Sequence, residues 1–133
     1  MSTDTMHPSL RFARYLFAFA GIYGLFVLAP GYFMEARVGI DNPPAITHPI
    51  YYYGFIGVGL AWQLAFLLIA SDPLRYRPLM LVGVVEKFTF GIAAVALYAQ
   101  GRLDALIFGF SLFDMSLGVL FVLAFWRTRG KTA

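Results

Sequence analysis

Four stretches of the chain run apolar for about the length of a bilayer crossing, with polar punctuation between them. About 30 Å of hydrocarbon is crossed at roughly 1.5 Å per helical residue, so a span needs about 20 mostly apolar residues. Residues 15–33, 50–70, 79–99 and 103–126 each meet this requirement. Pro30-Gly31 closes the first span, and Asp41-Asn42-Pro43-Pro44 keeps helix out of the loop that follows, residues 34–49. Ser71-Asp72-Pro73 ends the second span, with Asp72 placed to cap a short turn that begins at Pro73. Gln100-Gly101 gives a tight passage into the fourth. The first stretch is too long for a signal-peptide core and no small-residue cleavage site follows it, so it reads as a retained helix. The dozen or so residues before it read as a disordered tail, and the loop as packing across the ends of the helices. The pattern predicts an all-α protein, one domain built as a bundle of four transmembrane helices.

Composition agrees. Of 133 residues, 60% are hydrophobic and 13% charged, against about 45–50% and about 25% in soluble domains. A soluble fold of this size has too much surface for its volume to hide that apolar content. The net charge of +3 is not a nucleic-acid stripe, because the basic residues sit at the ends of the apolar stretches. Arg11, Arg14, Arg75, Arg77, Arg127, Arg129 and Lys131 fall on one side of the spans, and Arg37 and Arg102 on the other. By the positive-inside rule, both termini are cytoplasmic. Tyr51, Tyr52, Tyr53 and Tyr98 then mark the outer interface, and Tyr15, Tyr76 and Trp126 the inner one. The absence of cysteine removes disulfides, thiolate metal sites and dithiol redox chemistry. His7 and His48 both lie outside the spans, so no haem or other cofactor is expected. Glu35, Asp41 and His48 share the outer loop without the spacing of a metal site, and no metal is expected there.

Candidate chemistry lies inside the spans. Glu86 and Lys87 sit in the third, Asp114 in the fourth and Gln63 in the second. A central Lys or Asp costs roughly 2.5–3.5 kcal/mol to insert, so such residues normally turn inward and pair. Counting from the turns sets their depth. Lys87 lies 14 residues before Gly101 and Asp114 lies 13 after it; Gln63 lies 11 before Leu74 and Glu86 lies 12 after it. All four therefore fall in one layer. Lys87 shares a helix face with Gly83, Gly91 and Ala94, and Asp114 with Ser111 and Gly118, small residues that permit close helix approach. This predicts a Lys87–Asp114 ion pair. Glu86 points elsewhere, towards Gln63 or Tyr23. Gly57, Ala61 and Ala65 are expected to form the close-packing stripe of the second helix. Glu86, Gln63, Tyr23 and Trp62 form the candidate ligand-binding set; Gln63 and Trp62 also fit plain packing, and Tyr23 the core.

The run from Arg77-Pro78-Leu79 through Glu86 to Gly91, followed by the Gly101-Arg102 hairpin, resembles the DoxX-like group of small bacterial four-helix membrane proteins. The likeness is one of whole-chain layout. It implies a bacterial inner membrane and, for some members of that group, a link to quinone-coupled sulfur oxidation. A more distant likeness is to four-helix sterol isomerase-type proteins, which use intramembrane carboxylates around a lipophilic ligand. Three functions follow as expectations. The first is a non-catalytic accessory subunit or scaffold, partnered by lipid and by other membrane subunits or further copies of itself. The second is a binder or carrier of a small lipophilic or cationic molecule. The third is a membrane enzyme moving a proton with Glu86 or Asp114.

Overall fold

The structure is a computed structural model and describes residues 6–131. Its helices are α1 (Pro8–Leu28), α2 (Glu35–Asp41), α3 (Pro49–Ser71), α4 (Arg77–Ala99) and α5 (Ala105–Arg127), with a 3₁₀ turn, Ala29–Phe33, extending α1. Four of them are long and apolar enough to cross a membrane: Pro8–Phe33, Pro49–Ser71, Arg77–Ala99 and Ala105–Arg127. The protein is a multi-pass four-helix bundle.

The first helix starts earlier than the hydropathy pattern implies. His7 accepts the Ser9 N–H at 3.1 Å, Pro8 occupies the first turn, and Ser9, Leu10 and Ala13 are buried. Arg11 and Arg14 interrupt the apolar run without interrupting the helix. The expected tail is thus helical from Pro8 onward; residues 1–5 of it lie outside the described residues. The other boundaries follow local chemistry. Asp72 Oδ1 accepts the Arg75 N–H at 3.2 Å in the turn before α4. Gly101 turns with φ +70, a conformation that favours glycine. Asp104 Oδ2 then caps α5 by accepting the Leu106 N–H at 2.9 Å.

The helices pack as two pairs, α1 with α3 and α4 with α5. The pairs join along α1 and α5, whereas α3 and α4 touch over little of their length. The expected stripe of Gly57, Ala61 and Ala65 does not carry α3: Ala61 is exposed, and the inward face is Ile56, Gln63, Phe66, Ile69 and Ala70. Close approach is supplied from the other helix. A Cβ on Gly21 would stand 2.8 Å from the Gln63 carbonyl, and one on Gly24 would collide with the Gln63 carboxamide. Between α4 and α5 it is Gly118 that lies against Lys87.

The main core cluster lies in the half of the bundle nearest the chain termini. There Phe17 stacks on Phe121 at 4.2 Å between ring centroids, and Phe66 meets Phe121 edge-on at 5.0 Å. Leu16, Ala20, Ile69, Met80, Leu117 and Ala124 close around these rings. Arginines finish the helix ends of this half. Arg14 of α1 donates to the carbonyls of Ala70 and Ser71 at the end of α3. Arg77 of α4 donates to Phe125 O at 2.6 Å and Thr128 Oγ1 at 3.1 Å at the end of α5.

At the opposite end, tyrosines hold the connection. Tyr52 donates to Gly31 O at 2.6 Å and Tyr53 to Glu35 Oε2 at 2.8 Å. The short helix α2 buries none of its residues. The loop is therefore tethered at its start and does not pack across the helix ends. A seven-residue amphiphile without large inward side chains has little apolar surface to dock.

Candidate functional site

A layer of polar side chains divides the bundle at mid-depth. α4 presents Lys87, 3% exposed, towards α5, where its Nζ lies 2.7 Å from Asp114 Oδ1. On the other side the same Nζ lies 3.6 Å from Glu86 Oε2, beyond hydrogen-bond length. It also stands 5.1 Å from the centre of the Phe66 ring, within cation–π range. α3 contributes Gln63, 2% exposed, whose amide N–H donates to Gly59 O one turn earlier on the same helix. Gln63 Oε1 and Glu86 Oε2 are buried and have no hydrogen-bond partner.

This layer is the floor of a cavity of about 280 Å³ in the loop half of the bundle. Its walls are Val27 and Leu28 of α1, Phe55 of α3, Phe90 of α4, and Ile107 and Phe110 of α5. Gln63, Glu86, Lys87, Ser111 and Asp114 line the floor, with Tyr23 beside them. The cavity exists because the α3–α4 seam is open; Gly24 and Gly59 on its lining make room for the Gln63 and Leu28 side chains packed against them.

The structure brings Glu86, Gln63 and Tyr23 to one space. Tyr23 is a wall residue, held by Phe19 at 5.8 Å and Phe113 at 5.1 Å. Trp62 is elsewhere. Being the neighbour of Gln63 on a helix, it points about 100° away, and it packs on Phe66 and lines the membrane-facing groove between α3 and α4. Glu86, Gly59, Phe55 and Phe90 line both spaces, so Glu86 stands where the groove meets the cavity. The rings of Phe55 and Phe90, 5.9 Å apart, close this boundary.

Sequence reading did not single out Gly24, Phe55, Phe90, Ile107 or Phe110. For Gly24 a signal existed, because Ala20 and Gly24 make a small-residue pair four apart. For the apolar wall residues none did, since inward and lipid-facing apolar side chains look alike. In the loop, Glu35 is taken by Tyr53, and Asp41 pairs with Arg37 at 3.0 Å. Among the described residues no three His, Cys, Asp or Glu side chains converge as a metal site.

The arrangement can hold a molecule with an apolar body and one polar end. The walls are apolar, and the floor offers two acceptor oxygens without a hydrogen bond, each costing roughly 1–3 kcal/mol until it is satisfied. No family model, curated protein or solved structure matches the chain.

Proposed function

We propose that the protein binds a small, largely apolar molecule within the bilayer, its polar end resting on the Gln63–Glu86 floor. One observation carries this reading. The cavity has an apolar wall and a floor on which buried acceptors stand unpartnered. A purely structural polar layer would close on itself; here Lys87 hydrogen-bonds Asp114 and reaches Glu86 only as a looser ion pair at 3.6 Å, leaving Glu86 Oε2 and Gln63 Oε1 without a hydrogen bond. Buried polar atoms are normally paired, so an unpaired pair at a cavity floor marks a place for a donor from outside. The open α3–α4 seam gives such a molecule a path from the hydrocarbon, with Phe55 and Phe90 as its threshold.

The setting we propose is a bacterial inner membrane, in a DoxX-like four-helix layout with both termini cytoplasmic. The concentration of arginine and lysine at the terminal end of the bundle supports the orientation. An accessory-subunit role assigns no task to the cavity. Native mass spectrometry of the chain extracted gently from its own membranes separates the two. A discrete small mass on the monomer or dimer, lost in Glu86→Gln, is the expected result. A fixed stoichiometry with other polypeptides and an empty cavity would replace ligand binding with the accessory role.

A further inference from the structure

The charges lining the cavity do not cancel. They are two acids, Glu86 and Asp114, against one base, Lys87. Tyr23, Gln63 and Ser111, the other polar residues there, are neutral groups. A lysine beside the acid would ordinarily repel a cation, but its position removes that objection. Lys87 is committed to Asp114 at 2.7 Å and has the Phe66 ring at 5.1 Å, while Glu86 Oε2 stands off at 3.6 Å. Coulomb attraction falls with distance and is felt most strongly in a site shielded from water. The surplus negative charge therefore belongs to the Glu86 side of the floor. Gln63 adds a second acceptor there, 2% exposed and with Oε1 unpartnered beside Gly24. The floor thus offers acceptor oxygens and one negative charge more than its single ammonium, shared unequally between Asp114 at 2.7 Å and Glu86 at 3.6 Å, can balance.

Resting on the proposed binding role, we infer that the occupant is a lipophilic amine in its protonated form. Its ammonium is held by the Glu86 carboxylate with Gln63 Oε1 as second acceptor, and its hydrocarbon lies between Phe55, Phe90, Phe110 and Val27. An ammonium carries one charge and three donors, enough to reach both acceptors that the floor leaves unpaired. A neutral alcohol supplies one donor and no charge. A carboxylate supplies a second surplus charge and is excluded.

The test uses the full-length protein in lipid nanodiscs with three radiolabelled probes of equal chain length: octylammonium, octan-1-ol and octanoate. Partition into empty discs is subtracted. Octylammonium is expected to bind at least about tenfold more tightly than octan-1-ol, a difference of about 1.4 kcal/mol, with octanoate the weakest. Glu86→Gln is expected to bring octylammonium down to the level of the alcohol and to leave the alcohol unchanged. Equal binding of alcohol and amine, which is how a protonated Glu86 would behave, overturns the inference but leaves the cavity a ligand site. So does tightest binding of octanoate. Saturable binding of none of the three overturns the ligand-binding reading itself. The selectivity of the unaltered protein decides the matter even where Glu86→Gln fails to fold. Glu86→Asp, which keeps the charge on a shorter arm, is expected to retain the preference for the amine.

Discussion

The two halves of this bundle are built from similar residues and packed in opposite ways. The terminal half closes Phe17, Phe66 and Phe121 into a fully buried cluster of contacting rings. The loop half holds Phe55, Phe90 and Phe110 around a cavity. Both have apolar walls, so hydrophobicity does not distinguish them. What differs is how the helix ends are held. In the terminal half, Arg14 and Arg77 cross from one helix to the last carbonyls of another and fix their approach. In the loop half, Tyr52 and Tyr53 fasten the connecting turn to α3, and α3 meets α4 through the Phe55–Phe90 ring contact and little else among the described residues. Stability is concentrated where the arginines are, and room where they are not.

Paired substitutions of one residue type test that contrast. Phe121 is 0% exposed and Phe110 is 54% exposed. Phe121→Ala is expected to lower unfolding free energy in mixed micelles by about 3–5 kcal/mol, the usual cost of deleting a buried ring. Phe110→Ala is expected to cost less than about 1 kcal/mol and to weaken ligand retention instead. Equal losses at the two sites would show that the cavity wall is as tightly packed as the core.

The layer between the halves responds to charge. Lys87→Met leaves Asp114 and Glu86 both uncompensated and is expected to destabilise by about 3 kcal/mol. Adding Asp114→Leu is expected to recover much of that loss, because the stranded acid beside α5 is gone. A double-mutant cycle in which the two losses simply add would show that the 2.7 Å pair contributes nothing of its own.

The spans were legible because a bilayer dictates their length. The depth of Gln63, Glu86, Lys87 and Asp114 was legible because short turns leave no slack in the count from one helix to the next. Azimuth was harder. A residue on the lipid-facing side of α3 is as apolar as one inside, so Gly57, Ala61 and Ala65 looked like a packing face while Ile56 and Phe66 were the true one. The same ambiguity placed Trp62 beside Gln63 in the site, although one residue on a helix turns it into the groove. Arg14 and Arg77 were read only for their charge. Their hydrogen bonds to α3 and α5 bridge residues far apart in sequence, and no local pattern announces such a partner.

Glycine gives a third comparison, of smaller size. Gly24 lies against the Gln63 carboxamide, whereas a Cβ at Gly109 meets nothing within 4 Å. Gly24→Ala is expected to cost about 1–3 kcal/mol, as overpacking does, and to push the Gln63 side chain into the cavity. Gly109→Ala is expected to be neutral or to stabilise slightly through helix propensity. Thermal unfolding of the two variants checks this, and a neutral Gly24→Ala would mean that α1 and α3 separate more easily than their contact implies.

The smallest expected effect bears on one of the loop half's two tyrosine ties. Tyr52→Phe removes one hydroxyl and with it the bond to Gly31 O, while the ring keeps its place against Tyr53 at 5.0 Å. A single neutral hydrogen bond contributes about 1 kcal/mol, so global unfolding should barely move. Local opening should move more, because Gly31 sits in the 3₁₀ turn that anchors the connection to α3. Faster hydrogen exchange at residues 29–34, with unchanged exchange around Phe121, is the expected signature. Uniform acceleration across both halves would instead mean that the loop end and the core unfold as one unit, and the division of the bundle into a closed half and an open half would have no energetic meaning.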